Sequence, residues 1–83
     1  MLSMRPASIE IIKKIKAAGF KAYWAGGCVR DMLLGVEPKD FDIATSAKPQ
    51  EIKEILKKTI PIGEQFGVVL AEENGHHFEI ATF

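Results

Sequence analysis

The stretch GGCVRDMLLG spans residues 26–35, and KDFDIATS follows at residues 39–46. The first begins with two glycines and continues with residues that favour a helix. The second is an apolar run typical of a strand, yet it contains Asp40 and Asp42. Aspartate is depleted in strands. Because residues that oppose the local structural preference are expected at functional sites, this strand is the first candidate for one.

Size and charge limit the classes of function. The chain has 83 residues, 47% of them hydrophobic and 27% charged, which is typical of one ordinary globular domain. Eleven basic residues balance eleven acidic ones, so no broad nucleic-acid-binding surface is expected. No apolar run approaches the roughly 20 residues of a membrane span, so no membrane partner is expected. The single cysteine, Cys28, excludes an internal disulfide and fits a cytoplasmic location.

Apolar periodicity predicts a mixture of helices and strands. Three helices are predicted, at residues 6–19, at 28–34 and from 49 onward. Four strands are predicted, at residues 21–25, 40–45, 67–72 and 76–82. Residues 60–65 read as irregular, and Asn74-Gly75 is a strong signal for a hairpin between the last two strands. The order α-β-α-β-α-β-β predicts an α/β (α+β) domain, with a small mixed sheet and helices on one face.

Strand alternation predicts which face of the sheet is open. Side chains point to opposite faces in turn. In residues 40–45 the two aspartates share a face with Ala44, and in the last strand Glu79 has the corresponding position. Bulky apolar residues occupy the other face of both strands, and we expect the helices to cover that face.

Asp40 and Asp42 have the spacing of a cation site. Residues two apart on a strand lie about 6.5 Å apart along it, so the two carboxylates can converge. At about 4 Å they would repel by roughly 4 kcal/mol at an effective dielectric of 20, and a divalent cation reverses that energy. Hard oxygen ligands favour Mg²⁺ or Mn²⁺. Glu79 is a candidate to complete the site.

The glycine pair predicts a phosphate-binding turn. Gly26 and Gly27 let backbone amides approach a phosphate at a helix start, where the helix dipole favours negative charge. Arg30, one turn further on, has a planar fork that suits phosphate oxygens. Asp31 is placed to orient Arg30 or to hold the loop. A phosphate cradle followed by a metal-binding pair indicates phosphoryl or nucleotidyl transfer with two metal ions.

Other conspicuous residues have simpler interpretations. We interpret Cys28 as a packing residue, and Tyr23 and Trp24 as packing residues in preference to a base-stacking platform. His76 and His77, beside the Asn-Gly turn, are expected to be exposed and not to bind metal.

Four motifs together resemble the head domain of bacterial class II tRNA nucleotidyltransferases, the CCA-adding enzymes, and of their relatives the bacterial poly(A) polymerases. They are GGCVRDMLLG, KDFDIATSAKP, PIGEQFGVVL and FEIATF. The resemblance runs from about Pro6 to Phe83. It implies the polymerase β-like nucleotidyltransferase fold, with residues 1–83 as the head domain.

The resemblance also implies site roles. The glycine pair would hold the phosphates of the incoming nucleotide through the backbone, Arg30 would contact the triphosphate, and Asp31 would support the helix start. Asp40 and Asp42 would bind the catalytic Mg²⁺ ions. Glu79 would align or activate the attacking hydroxyl.

The implied reaction is attack of the tRNA 3′-hydroxyl on the α-phosphate of CTP or ATP, with release of pyrophosphate. Family members continue past Phe83 with a neck that selects the base and with a body and tail that hold the tRNA. The chain is therefore expected to be a fragment, weakly active or inactive alone. CCA, C-only, A-only and poly(A) addition are not separable from these residues. The alternative is a non-catalytic module that binds metal and nucleotide, or self-associates through its exposed sheet.

Overall fold

The computed structural model describes residues 4–83, with the backbone alone at Pro61. This range contains three α-helices, five strands and one short 3₁₀ helix. They are α1 (Met4–Ala17), β1 (Ala22–Ala25), α2 (Gly27–Leu33), β2 (Asp42–Thr45), α3 (Pro49–Ile55), β3 (Thr59–Gly63), the 3₁₀ helix (Glu64–Phe66), β4 (Val68–Glu73) and β5 (His76–Thr82). None of the helices in this range is long and apolar enough to span a bilayer.

The five strands form one mixed sheet in the order β1-β2-β5-β4-β3. β2 and β5 are parallel, and the other neighbouring pairs are antiparallel. The parallel pair is possible because α3, β3 and β4 lie between β2 and β5 in the chain and form the long connection that parallel strands need. The predicted mixed α/β fold is confirmed.

The hydrophobic core lies between the helices and one face of the sheet. Ile11 and Ile15 of α1 and Ile52 of α3 have no exposed surface. They share one cluster with the inward-facing strand residues Ile43, Val69, Ala71, Phe78 and Ile80 and with Phe41 just before β2. The alternation of buried and more exposed residues along β2 and β5 follows the predicted parity, and β4 alternates in the same way. Among residues 4–83, no helix covers the other face of the sheet.

Two details of the predicted strands are wrong. Residues 60–65 are not irregular, because most of them belong to β3, an edge strand whose register shifts between Ile60 and Gly63. Such a shift interrupts the alternation by which a strand is recognised from sequence. Asp40 lies in the loop before β2 and not within the strand. β1 ends at Ala25, which pairs with Asp42. Asp40 therefore has no residue of β1 with which to pair.

The Asn-Gly turn between β4 and β5 is formed as predicted. Asn74 and Gly75 both have positive φ, 52° and 80°. That combination is the type I′ hairpin turn, whose twist matches that of the flanking strands. The turn sets the register of Glu73 opposite His76, and therefore the position of every later residue of β5.

One buried hydroxyl connects β1, β2 and the approach to α3. Thr45 Oγ1 donates to the carbonyl of Lys21 at 2.6 Å and accepts from the amide of Ala47 at 3.1 Å. Thr45 has no exposed surface, so water cannot replace either partner. A buried polar group without its partner costs about 1–3 kcal/mol.

We therefore expect Thr45→Val to lower the free energy of unfolding by about 1–3 kcal/mol, because it keeps the shape and leaves the buried Ala47 amide unpaired. The Lys21 carbonyl loses one of its two donors and keeps the amide of Ser46 at 3.1 Å. Urea unfolding measures the change. Thr59→Val is the matched control, since the half-buried Thr59 hydroxyl makes no hydrogen bond within residues 4–83. Equal costs at the two positions would contradict the role given to the Thr45 hydroxyl.

Candidate functional site

Three predicted acids lie together on the open face of the sheet. The parallel register of β2 and β5 places Asp42 directly beside Glu79. Asp40 lies two residues earlier and lines a common recess with both. Asp42 is half-buried, whereas Asp40 and Glu79 are exposed. The structure thus brings the three carboxylates to one uncovered surface, although they come from different parts of the chain.

Asp40 and Asp42 form the boundary between two recesses. The β5-side recess, about 400 Å³, is lined by Asp40, Phe41, Asp42, Leu70, His77 and Glu79. The α2-side recess, about 370 Å³, is lined by Gly27, Cys28, Asp31, Val36, Glu37, Lys39, Asp40 and Asp42. A molecule in either recess would contact the same two carboxylates.

The three carboxylates have no cationic partner in the protein. Within residues 4–83, the side chains of Asp40, Asp42 and Glu79 form no ion pair or hydrogen bond. Glu72, two strands from Asp42, differs because Lys58 Nζ and His77 Nε2 both lie 3.4 Å from its carboxylate. The negative charge of the three acids is therefore left for a ligand to neutralise.

The donor set suits Mg²⁺. Among the described residues, no group of three or more His, Cys, Asp or Glu side chains is arranged to hold a metal ion. Completion of the site by Glu79 therefore stays a prediction. Mg²⁺ is commonly bound by one or two carboxylates, with water and substrate phosphates as the other ligands. The unpaired Asp40 and Asp42 match that pattern.

Gly26 connects the start of α2 to Asp42. It is the residue before α2 and has φ 71° and ψ −150°, a conformation that is natural only for glycine. A Cβ placed at Gly26 would lie 2.9 Å from Asp42 Oδ2, so the absence of a side chain lets the carboxylate stand against the turn. The glycine turn and the acids, which the sequence presents as separate motifs, are in direct contact.

Arg30 and Asp31 lie in the middle of the seven-residue α2. A Cβ at Gly27 would be 3.6 Å from Arg30 Nη2, so the guanidinium lies over the first turn of the helix. The Arg30 side chain is 77% exposed, and its Nε is 3.9 Å from Asp31 Oδ1. The carbonyl of Asp31 accepts the amide of Val36 at 2.8 Å, which holds the loop after the helix. Because the Arg30 side chain is mostly exposed, it can turn toward an anion.

Sequence reasoning missed two residues of the site. Lys39 lines the α2-side recess and adds a second cation near the predicted phosphate position. It directly precedes Asp40, and its place in KDFD was the available signal. Leu70 of β4 lines the β5-side recess. It cannot be recognised as a site residue without knowledge of the strand order. His77 is exposed as predicted and lines the same recess.

The residues interpreted as packing residues have different outcomes. Cys28 is buried, and its Sγ donates to the carbonyl of Ala25 at 3.0 Å. Trp24 packs 5.9 Å from Phe41, centroid to centroid, and its Nε1 donates to Ser8 Oγ at 2.9 Å. Both therefore have packing roles. Tyr23 is 52% exposed, so the packing interpretation does not account for it.

With this geometry established, residues 22–83 match the family model described as the poly A polymerase head domain. The chain belongs to that family, and the resemblance found in the sequence is confirmed. It is 51% identical over 76 residues to the CCA-adding enzyme of Streptococcus mutans serotype c (strain ATCC 700610 / UA159), and 50% identical over 76 residues to that of Latilactobacillus sakei subsp. sakei (strain 23K). Each match covers 92% of this chain but only 19% of the relative.

Solved structures agree with the sequence comparison. The Bacillus stearothermophilus CCA-adding enzyme in complex with CTP matches with a TM-score of 0.91 and 41% identity, over 100% of this chain and 21% of that one. The Thermotoga maritima CCA-adding enzyme complexed with tRNA matches with a TM-score of 0.71 and 27% identity, over 88% of this chain and 19% of that one. The chain thus spans about a fifth of the proteins it resembles.

The two glycines should respond differently to substitution. We expect Gly26→Ala to lower the free energy of unfolding by about 1–3 kcal/mol, because alanine is strained at positive φ. It should also move the Asp42 carboxylate, which is the flexible end of the 2.9 Å contact. Gly27→Ala is the matched control, since its Cβ would make only an ordinary contact at 3.6 Å. Urea unfolding measures both variants, and equal losses would refute the distinction.

Proposed function

We propose that this chain is the catalytic head of a template-independent RNA nucleotidyltransferase that adds CMP and AMP, from CTP and ATP, to the 3′ end of tRNA. One observation above all supports it: Asp40 and Asp42 are shared by two recesses, one of which borders the glycine turn at the start of α2. Family membership and similarity to CCA-adding enzymes support the choice of substrates. The single cysteine is compatible with action in the cytoplasm.

The α2-side recess is proposed to hold the triphosphate. Backbone amides at Gly26 and Gly27 approach the phosphates, because neither residue has a side chain to obstruct them. Lys39 lines this recess, and the exposed Arg30 guanidinium over the first turn of α2 would turn toward the phosphates. Asp31 keeps the loop after α2 in place through its backbone carbonyl.

Asp40 and Asp42 would hold Mg²⁺, which supplies charge neutralisation at the phosphates and lowers the pKa of a bound hydroxyl. The sheet and Gly26 fix the Asp42 carboxylate before substrate arrives. Glu79, beside Asp42 on β5, is proposed to accept a hydrogen bond from the attacking 3′-hydroxyl and so to orient it. No covalent protein intermediate is needed, since positioning and charge stabilisation suffice for this class of transfer.

The β5-side recess is proposed to receive the 3′ end of the RNA. In-line displacement requires the attacking and leaving oxygens to lie on opposite sides of the phosphorus. If the triphosphate occupies the α2 side of the shared carboxylates, the nucleophile must approach from the other side. Leu70 and His77 would then border the terminal ribose.

Poly(A) addition is the second candidate reaction. It is favoured by the description of the matching family as a poly A polymerase head domain. We propose that the choice between CTP and ATP is made by residues outside these 83. Analysis of products separates the candidates, because CCA addition stops after three defined nucleotides, whereas poly(A) addition gives a homopolymer of varying length.

Binding of nucleotide should depend on Mg²⁺ and on Asp42. Calorimetric titration of the 83-residue chain with CTP should give at least tenfold tighter binding with Mg²⁺ than without it. Asp42→Asn should abolish this difference, since it removes a ligand charge and keeps the shape. Glu54→Gln, an exposed acid on α3, is the matched control and should bind as the unaltered chain does. Absence of any Mg²⁺-dependent binding would refute the proposal.

The same chain should show weak or no extension of a tRNA that lacks its 3′ end, with poor discrimination between CTP and ATP. The reason is that the residues proposed to choose the base and to hold the rest of the tRNA are not among the 83. Gel analysis with each nucleotide separately measures both properties. Efficient turnover would exclude a module that only binds, and strong discrimination would disprove the proposed location of base selection.

A further inference from the structure

Two exposed aromatic rings lie together on the open face of the sheet. Tyr23 is 52% exposed and Phe83 is 67% exposed. Their ring centroids are 6.3 Å apart, with an angle of 30° between the planes. The proposed mechanism does not use either residue.

The two rings meet because the strand between them has a small side chain. Tyr23 of β1 is paired with Ala44 of β2. Phe83 follows β5 on the other side of β2, and its amide donates to the carbonyl of Thr45 at 3.0 Å. With only a methyl group at position 44, the rings extend over β2 from both sides and form one apolar surface, which we call the aromatic platform.

The aromatic platform is close to the acids. Ala44 follows Asp42 by two residues on the same face, and Ala81 follows Glu79 in the same way. Tyr23 is one strand away from Ala44, which puts its Cα on the order of 8 Å from that of Asp42. That is about the length of one nucleotide. Ala44 and Ala81 have small side chains, so the sheet surface beside the acids is flat. A sugar can therefore lie across this surface.

We propose that Tyr23 and Phe83 stack a nucleobase of a substrate whose sugar or phosphate lies at Asp40 and Asp42; the proposal rests on the proposed function. A stacking surface accepts every base, because each has a π-face. It therefore suits a reaction in which cytosine and adenine are both added and the end of the growing strand changes. The base belongs either to the incoming nucleotide or to the RNA 3′ end, and the chemistry of recognition is the same.

Binding of two probes tests the aromatic platform. The probes are CTP with Mg²⁺, and a short single-stranded RNA ending in CC, without Mg²⁺. Tyr23→Leu and Phe83→Leu keep an apolar side chain and remove the ring, and each should weaken binding of one probe about tenfold, the size expected for one base–aromatic stack. Tyr23→Phe should bind as the unaltered chain does. Phe66→Leu is the matched control, since Phe66 is 80% exposed and belongs to the 3₁₀ helix, not to the aromatic platform.

The results have distinct meanings. Weakening with RNA alone assigns the stacked base to the RNA end, and weakening with CTP alone assigns it to the incoming nucleotide. The proposal is overturned if both leucine variants keep their thermal midpoint and bind both probes normally, if Tyr23→Phe weakens binding as much as Tyr23→Leu, or if the unaltered chain binds neither probe. Asp42→Asn separates the two proposals: it should abolish the Mg²⁺ dependence of CTP binding, whereas loss of the aromatic platform alone should leave the response to Mg²⁺ present.

Discussion

The parallel pairing of β2 with β5 holds the core and the acidic surface in a fixed relation. Ile43 pairs with Ile80 on the helix side, and both have almost no exposed surface. Asp42 pairs with Glu79 on the other side. Because side chains alternate with a period of two, a slip of one residue would bring a carboxylate into the core and an isoleucine out of it. The hydrophobic effect that holds the isoleucines together therefore also holds the acids together.

This arrangement concentrates unfavourable features in one place. Three carboxylates line one recess with no cationic partner among residues 4–83, and Gly26 keeps a backbone conformation that other residues avoid. Each feature opposes stability when taken alone. They persist because the buried cluster behind the sheet is independent of them, with Ile11, Ile15 and Ile52 packed from the helices. The open face can thus carry residues that serve the reaction at a cost in stability, while the covered face supplies the free energy of folding.

Local patterns in the sequence predicted most of the fold. Alternation in β2 and β5 gave the correct faces, and Asn74-Gly75 gave the hairpin, because each depends on neighbours in the chain. The edge strand β3 was missed, since a register shift and a proline obscure its period. The family resemblance rested on motifs whose spacing is specific, and the comparisons confirm it.

The candidate site was predictable only in part. The two aspartates and the glycine turn were recognisable from residue type and order, and their roles in binding and catalysis remain predictions. What the sequence could not supply were juxtapositions set by strand order: Leu70 beside the acids, Glu79 directly next to Asp42, and Tyr23 against Phe83 across β2. Contacts of this kind depend on the long connection between β2 and β5, which local patterns do not describe.

The irregular edge of the sheet has a consequence for behaviour at high concentration. β3 carries the exposed apolar residues Ile60 and Ile62, a combination that usually invites another strand to add. Pro61 lacks the amide hydrogen that such a strand would require, and the register shift breaks the regular ladder. Addition of another strand at this edge is therefore impeded. The exposed apolar residues of β3 do not act as a template for amyloid.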